Sequence, residues 1–253
     1  MKIKLLGTVI AGALAVVGTA SAQNLLVNGS FETPGSPGQG SSDPTYTSSG
    51  FGTIPGWFGG VASDSGSQSV ADKTGGAHTA SYDGGFYAYM MVGDSQAGNY
   101  ANQTTSTIIS SAGETFNLTF GASANGSSDG NWSATTASVH YFVYSGANVL
   151  TGHIITQGEA VLAASPGEGN GLTDIPIWST TGASAVAGAI DVGQPIGIAL
   201  ENSSGWLNPN VGAVHSWVLV DGVSLTVAPE PTTATLLGFA GLSALLALRR
   251  RRA

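Results

Sequence analysis

The fold is decided by the stretch Thr115-Phe116-Asn117-Leu118-Thr119-Phe120, in which polar and apolar side chains alternate without interruption. Successive side chains of a β-strand point to opposite faces, so we expect the two phenylalanines and the leucine to face a core and the other three residues to face outward. The same period of two returns in residues 138–144, where three apolar side chains share one face. Both stretches therefore predict half-buried strands.

Further short segments rich in β-branched and aromatic residues follow one another along the chain, separated by turn residues. Glycine supplies 38 of the 253 residues, about twice its average share, which favours turns over helices. The other segments expected to form strands are 25–27, 54–58, 86–92, 149–156, 175–179, 196–200 and 217–227. The pattern predicts an all-β chain folded as an antiparallel β-sandwich, or jelly roll.

The first 22 residues read as a secretory signal peptide. Lys2 and Lys4 precede an apolar run, and the small residues Ala20 and Ala22 offer a cleavage site. We expect residues 1–22 to form a helix that a secretion translocon handles and that is removed on export.

The last residues combine three features in order. They are the motif Pro229-Glu230-Pro231, the uncharged apolar run 232–248, and the basic cluster Arg249, Arg250, Arg251 and Arg252. A helix through the apolar run would span about 25 Å, the short end for a bilayer crossing. We therefore expect a transmembrane helix at 232–248 with the arginines on the cytoplasmic side.

This arrangement closely resembles the PEP-CTERM sorting signal of Gram-negative bacteria that make exopolysaccharide. In that family an exosortase transpeptidase recognises Pro-Glu-Pro, cuts near it, and releases or re-attaches the protein outside. The resemblance implies transient residence in the inner membrane and a final place at the cell surface or in the extracellular matrix. Ala228 departs from the family, which often has Val there. A plain single-pass anchor is the alternative.

The domain between the two ends, residues 23–228, is far more acidic than the whole chain. The chain has 7 Lys and Arg against 15 Asp and Glu, but six of the basic residues lie in the two ends. The domain keeps Lys73 alone against 14 acidic residues, a formal net charge of −13. Such a surface repels nucleic acid and anionic lipid and suits divalent cations, although solubility alone would explain the acidity. Because there is no cysteine, a core must stabilise the domain without disulfides.

The two ends of the domain resemble a second family. Residues 24–32 and 217–226, with 54–57 and 112–120 between them, are similar to the galactose-binding-like jelly rolls that include several carbohydrate-binding modules. The resemblance implies that the end strands pair and hold one structural Ca²⁺. Glu32 and Asp221 would supply carboxylates and Ser30 a backbone carbonyl, while Gly222 stands where the family often has Asp or Asn. The alternative is that both acidic residues cap turns or strand ends.

Aromatic side chains are the candidates for sugar binding, because their flat apolar faces stack on sugar rings. Trp132 and Trp206 lie in Gly/Ser-rich stretches, and Tyr87 and Tyr89 share one face of a predicted strand. The tyrosines are equally compatible with a place in the core.

Catalysis has weaker support. Residues 92–95, Val-Gly-Asp-Ser, superficially resemble the nucleophile block of GDS-type esterases, but no His follows an Asp by three residues as that class requires. Acidic pairs for a glycosidase are available among Glu114, Glu159, Glu168 and Glu201, as they are in any chain this acidic. We expect a non-enzymatic surface or matrix protein that binds exopolysaccharide. The alternatives are a hydrolase of matrix sugars or esters and a passive structural or adhesive protein.

Overall fold

The computed structural model describes residues 22–33, 46–47, 54–59, 65–69, 82–92, 100–125, 138–162, 178–202 and 216–228. The chain divides into two units, of which Asn24–Val227 contains every described strand and the other comprises residues 1–23 and 228–253. The signal peptide except Ala22, the whole PEP-CTERM-like tail from Pro229 onward, and both Trp132 and Trp206 lie outside the described residues. No helix within the described ranges is long and apolar enough to cross a membrane.

Ten antiparallel strands and one short 3₁₀ helix make up the described structure. The strands are β1 (Tyr46–Thr47), β2 (Ser65–Ser69), β3 (Phe86–Val92), β4 (Tyr100–Ile108), β5 (Thr115–Asn125), β6 (Ser138–Ser145), β7 (His153–Val161), β8 (Ser179–Val186), β9 (Pro195–Asn202) and β10 (Ser216–Val227). A six-stranded sheet has the order β1-β2-β3-β10-β5-β8, and a four-stranded sheet has the order β4-β9-β6-β7. The predicted all-β antiparallel sandwich is confirmed.

The main core lies between the two sheets. Phe116, Leu118 and Phe120 of β5 are buried as the alternation predicts, and they share one cluster with inward residues of β6, β9 and β10. The Phe120 ring lies 6.0 Å from that of Tyr141, and the side-chain amide of Asn202 donates to the carbonyl of Met90 at 3.0 Å. Both contacts connect the two sheets.

Several predicted strand boundaries are wrong. The strand expected at 149–156 is His153–Val161, because residues 146–152 form the turn that precedes it. Most of the strand expected at 175–179 lies outside the described residues, and the described strand Ser179–Val186, whose small polar residues resemble loop sequence, begins at its last position. The Asn-, Gln- and Thr-rich β4 was not predicted at all.

The first residues of the domain form no regular strand, which corrects the prediction at 25–27. They nevertheless run beside β10, since the Leu25 N–H donates to the carbonyl of Leu225 at 2.8 Å and the Val223 N–H donates to that of Gly29 at 2.9 Å. Asn28 and Phe31 have positive φ angles of 53° and 55°, so the chain turns sharply at this point. The pairing register of β10 with its other neighbour, β5, also shifts between Asp221 and Ser224.

Four connections between the sheets begin and end at the same end of the sandwich. They are 93–99, 126–137, 163–177 and 203–215, all outside the described residues. The strand ends at 92, 125, 179 and 216 lie near one another in one sheet, and those at 100, 138, 161 and 202 lie near one another in the other. The bond from Asn202 to Met90 places both sets at the same end of the sandwich. We call this the connection end.

Candidate functional site

Two acidic residues from opposite ends of the domain sequence hold one short segment, residues 82–86. Oε1 of Glu32 accepts the last two backbone N–H groups of this segment at 2.7 and 2.9 Å. Oδ2 of Asp221, in β10, accepts the N–H of Asp83 at 2.7 Å. The segment leads directly into β3, so both carboxylates fix the point at which β3 begins.

Asp221 is fully buried. Its Oδ1 accepts the N–H of Gly222 at 2.6 Å. Burial raises the pKa of Asp221 to about 7, although the N–H donors of Asp83 and Gly222 act in the opposite direction. No Lys or Arg occurs anywhere in the described ranges, so this carboxylate has no basic side chain there to compensate its charge.

The predicted Ca²⁺ ligands fit such an ion in part. Carboxylate oxygens are the hard donors that Ca²⁺ prefers, and a buried acidic group favours a bound cation. Within the described ranges, however, no three His, Cys, Asp or Glu side chains lie close enough to form a metal site. The six to eight oxygens that Ca²⁺ needs would therefore include backbone carbonyls, such as that of Ser30 in the turn before Glu32, and water. The ion stays a prediction.

Tyr87 and Tyr89 lie on the outer face of the six-stranded sheet, because the residues alternating with them on β3 belong to the main core. Both are fully buried in a small cluster with Leu219, and Trp178 packs against it. The Trp178 ring lies 6.2 Å from that of Tyr87, at an interplanar angle of 64°. The ligand role predicted for the two tyrosines, and for Trp132 and Trp206, stays a prediction.

A row of polar side chains crosses the outer face of the four-stranded sheet near the connection end. Tyr100 of β4 pairs with Glu201 of β9, Glu201 pairs with His140 of β6, and His140 pairs with Glu159 of β7. We call these four residues the polar row. They share one face because the residues alternating with them, such as Leu200, contribute to the main core.

The polar row runs from a buried to an exposed position. Glu201 is fully buried, the His140 side chain is 15% exposed, and that of Glu159 is 49% exposed. His140 Nε2 lies 3.2 Å from Oε1 of Glu159, which also accepts the hydroxyl of Ser138. The hydrogen bond from Ser138 lowers the pKa of Glu159, and the hydrogen bond and charge of His140 act in the same direction. Together they outweigh burial, which by itself would raise this pKa. Glu159 is thus a carboxylate that stays ionised.

An aromatic cluster lies on the same face beside the polar row. It contains Phe142, Tyr144, Val149 and Ala199, and Tyr100 packs against it. The Tyr144 hydroxyl is hydrogen-bonded to the Thr104 hydroxyl at 2.7 Å, and burial raises the pKa of Tyr144. The face therefore combines fixed polar groups with aromatic rings, the two elements of a sugar-binding surface, although Phe142 and Tyr144 are buried and Tyr100 is the half-buried ring of the set.

Ser145, His153 and Asp191 form a second polar cluster at the opposite end of the sandwich. The Ser145 hydroxyl and His153 Nδ1 both donate to Oδ1 of Asp191, at 2.5 and 2.8 Å. A serine nucleophile must donate to its histidine, whereas here the serine donates to the aspartate. We interpret the cluster as a structural link between the four-stranded sheet and the 3₁₀ helix Ala189–Asp191.

Comparisons with known proteins concern the fold. No family model matches the chain, and no curated protein matches it in sequence. Among solved structures, it is similar to a Stig cyclase, Fisc, from Fischerella sp. TAU, with 16% identity, a TM-score of 0.55, and coverage of 83% of this chain and 100% of that one. An apo cyclase from Fischerella sp. gives 16% identity and a TM-score of 0.55 over 85% of this chain and 100% of that one.

Carbohydrate-binding modules are also among the structural neighbours. A family 4 module gives 16% identity and a TM-score of 0.41, with 80% of this chain and 99% of that one covered. The antiparallel β-sandwich that the sequence-based resemblance implied is the architecture of the two described sheets. At such low identity, the similarities describe the fold alone and assign no ligand.

Proposed function

We propose that this protein is exported, sorted by an exosortase to the cell surface or extracellular matrix, and binds polysaccharide there through the outer face of its four-stranded sheet. The observation that carries the binding proposal is the polar row beside the aromatic cluster. Carboxylates accept hydrogen bonds from sugar hydroxyls and an imidazole can accept or donate them, while the half-buried ring of Tyr100 would stack on an apolar sugar face. The acidic surface favours neutral or cationic polymers over acidic ones.

Glycan-array binding by the full-length chain tests this function. The sharpest variant is Glu159→Gln, which removes one charge from a half-exposed position without changing the size of the side chain. The matched control is Glu114→Gln, the same substitution in the turn before β5. Loss of binding in the first variant alone supports the polar row. Absence of binding to every glycan would instead support a passive structural or adhesive protein.

The sorting proposal is supported by the sequence of the tail. Pro229, Glu230 and Pro231 would be the exosortase motif, and Arg249–252 would hold the apolar run 232–248 in the inner membrane until processing. Deleting the exosortase of the host should leave the unprocessed chain in the membrane fraction. An unchanged mass and location in that strain would contradict the proposal.

A hydrolase is the second candidate, and one observation favours it. Glu159 and Glu201 occupy strands on either side of β6, so their backbones lie about 10 Å apart. Glutamate side chains on that backbone spacing can bring two carboxylates within the separation found in inverting glycosidases, about 6.5–9.5 Å. Release of reducing ends from a bound polysaccharide, abolished by Glu201→Gln, would promote this function above simple binding.

A further inference from the structure

A second aromatic surface lies on the outer face of the other sheet. A Cβ atom added to Gly121 of β5 would come within 2.4 Å of Cγ of Tyr82 and 2.7 Å of both its Cδ atoms. One added to Gly222 of β10 would come within 2.7 Å of Cδ1. The short distance to Cγ together with equal distances to both Cδ atoms places the added Cβ over the ring plane, so one face of the ring packs on Gly121. Its opposite face points away from the sheet, and Tyr82 is 41% exposed.

The Tyr82 ring is held in this position from three sides. Its hydroxyl is hydrogen-bonded to the Thr180 hydroxyl at 2.8 Å. Its backbone belongs to the segment anchored by the buried Asp221 through the N–H of Asp83. The partly buried Trp178 lies beside it, with ring centroids 5.9 Å apart at 51°. A rigid ring loses little conformational entropy when a ligand stacks on it.

We propose that Tyr82 and Trp178 form a binding platform for a neutral pyranose polymer, separate from the polar row. The outward face of Tyr82 would stack on the apolar face of a sugar ring. Hydroxyl groups at the rim of that sugar would meet the Thr180 hydroxyl and the exposed side chain of Asp83, whose Cβ atom lies 3.5 Å from the position of an added Gly222 Cβ. In the part of the chain that the structure describes, no Lys or Arg accompanies the Asp83 carboxylate, and such a negative charge selects against uronic acids.

Two glycan sites on opposite faces of one sandwich would let a single domain bridge two polymer chains. This consequence rests on the proposed function of the polar row, whereas the platform itself does not. Each site by itself gives binding, and only both together give cross-linking.

The test uses the full-length chain in a detergent without a sugar headgroup. The probes are a soluble β-glucan, a galactomannan and dextran, with alginate as the acidic polymer. Affinity electrophoresis measures binding, and light scattering measures bridging. The variants are Tyr82→Ala and Trp178→Ala, and Leu150→Ala is the control, because it is an exposed apolar side chain in the turn 146–152. Thermal melting checks that each variant folds.

We expect Tyr82→Ala and Trp178→Ala each to weaken binding of one neutral polymer roughly tenfold and to abolish bridging, as loss of a stacked ring does elsewhere. Tyr82→Phe, which keeps the ring, should bind within about twofold of wild type. Folded variants that bind and bridge like wild type would overturn the platform, as would a preference for alginate or no binding to any neutral polymer. If Glu159→Gln abolishes all binding while Tyr82→Ala does not change it, the platform fails and the polar row stands. The reverse result retains the platform and removes the polar row.

Discussion

Glu32 and Asp221 accept hydrogen bonds from the same five-residue segment, although they lie near opposite ends of the domain sequence. Each carboxylate therefore anchors this segment whether or not a cation binds. The two roles can be separated because both N–H groups bound by Glu32 point to one oxygen, Oε1. A glutamine side chain retains such an oxygen but not the charge that Ca²⁺ needs.

Glu32→Gln should therefore distinguish an anchor from a metal ligand. If Ca²⁺ binds, the melting temperature of the wild type falls when EDTA is added, while the variant melts at the same temperature with Ca²⁺ or with EDTA. Glu32→Ala should be less stable than both in either buffer, by about 1–3 kcal/mol, since two N–H groups lose their acceptor. A wild-type melting temperature that EDTA leaves unchanged would exclude a structural role for Ca²⁺.

Gly121→Ala should destabilise the protein by about 1–3 kcal/mol, because the new methyl group displaces the Tyr82 ring. Gly182→Ala, in the neighbouring strand β8, is the matched control, as its Cβ would meet nothing closer than 3.5 Å. Urea unfolding followed by tryptophan fluorescence measures both. Equal stabilities of the two variants would show that the ring does not pack on Gly121.

The Asp191 cluster should make stability depend on pH in the acid range. Burial by itself would raise the pKa of Asp191, but the bonds from Ser145, Gly188 and His153 outweigh it and lower the pKa. The unfolded chain therefore binds a proton more tightly than the folded one. The resulting stability is present above about pH 4 and is lost as the pH falls through the folded pKa.

Urea unfolding at pH 6 and pH 3 measures this dependence. Asp191→Asn, which cannot titrate, should lose less stability between the two pH values than the wild type. Ser145→Ala should fall between them, because it removes one of the bonds that lower the pKa. An identical loss in all three proteins would mean that Asp191 does not contribute to acid unfolding.

The bond between Tyr144 and Thr104 should couple the aromatic cluster to β4. We expect Tyr144→Phe and Thr104→Val each to cost about 1 kcal/mol, and the double variant to cost less than their sum. Additive free energies of unfolding would show that the two hydroxyls do not interact.

The regular part of the fold could be predicted because it follows local patterns. The alternation in β5 places three apolar side chains in the core, and the predicted bounds of β3 are those observed. The alternation of polar and apolar residues predicts no strand where large apolar side chains are missing. The sequence of β8 is Ser-Thr-Thr-Gly-Ala-Ser-Ala-Val. This segment forms a strand because it pairs with β5 at the edge of the sheet, and its own sequence does not indicate that pairing.

The site was harder to predict because it depends on pairing across strands. His140 and Glu159 lie far apart in the sequence, on the two strands of a hairpin whose register includes a shift. Their contact therefore could not be inferred from their spacing in the sequence. The alternation of side chains in β6 does place His140 on the face opposite Val139. This pattern could have identified His140 as a residue of the outer face. For Tyr82 no comparable signal exists, since its partners Gly121, Thr180 and Gly222 come from three different strands.

The near absence of basic residues from the domain also affects how long it would persist outside the cell. Proteases with trypsin-like specificity cut after Lys or Arg, and the bond after Lys73 is the one such bond in residues 23–228. That bond lies between β2 and β3, so a cut there leaves the sequence from β3 to β10 intact. An extracellular protease of this class would have a single point of attack on the working domain.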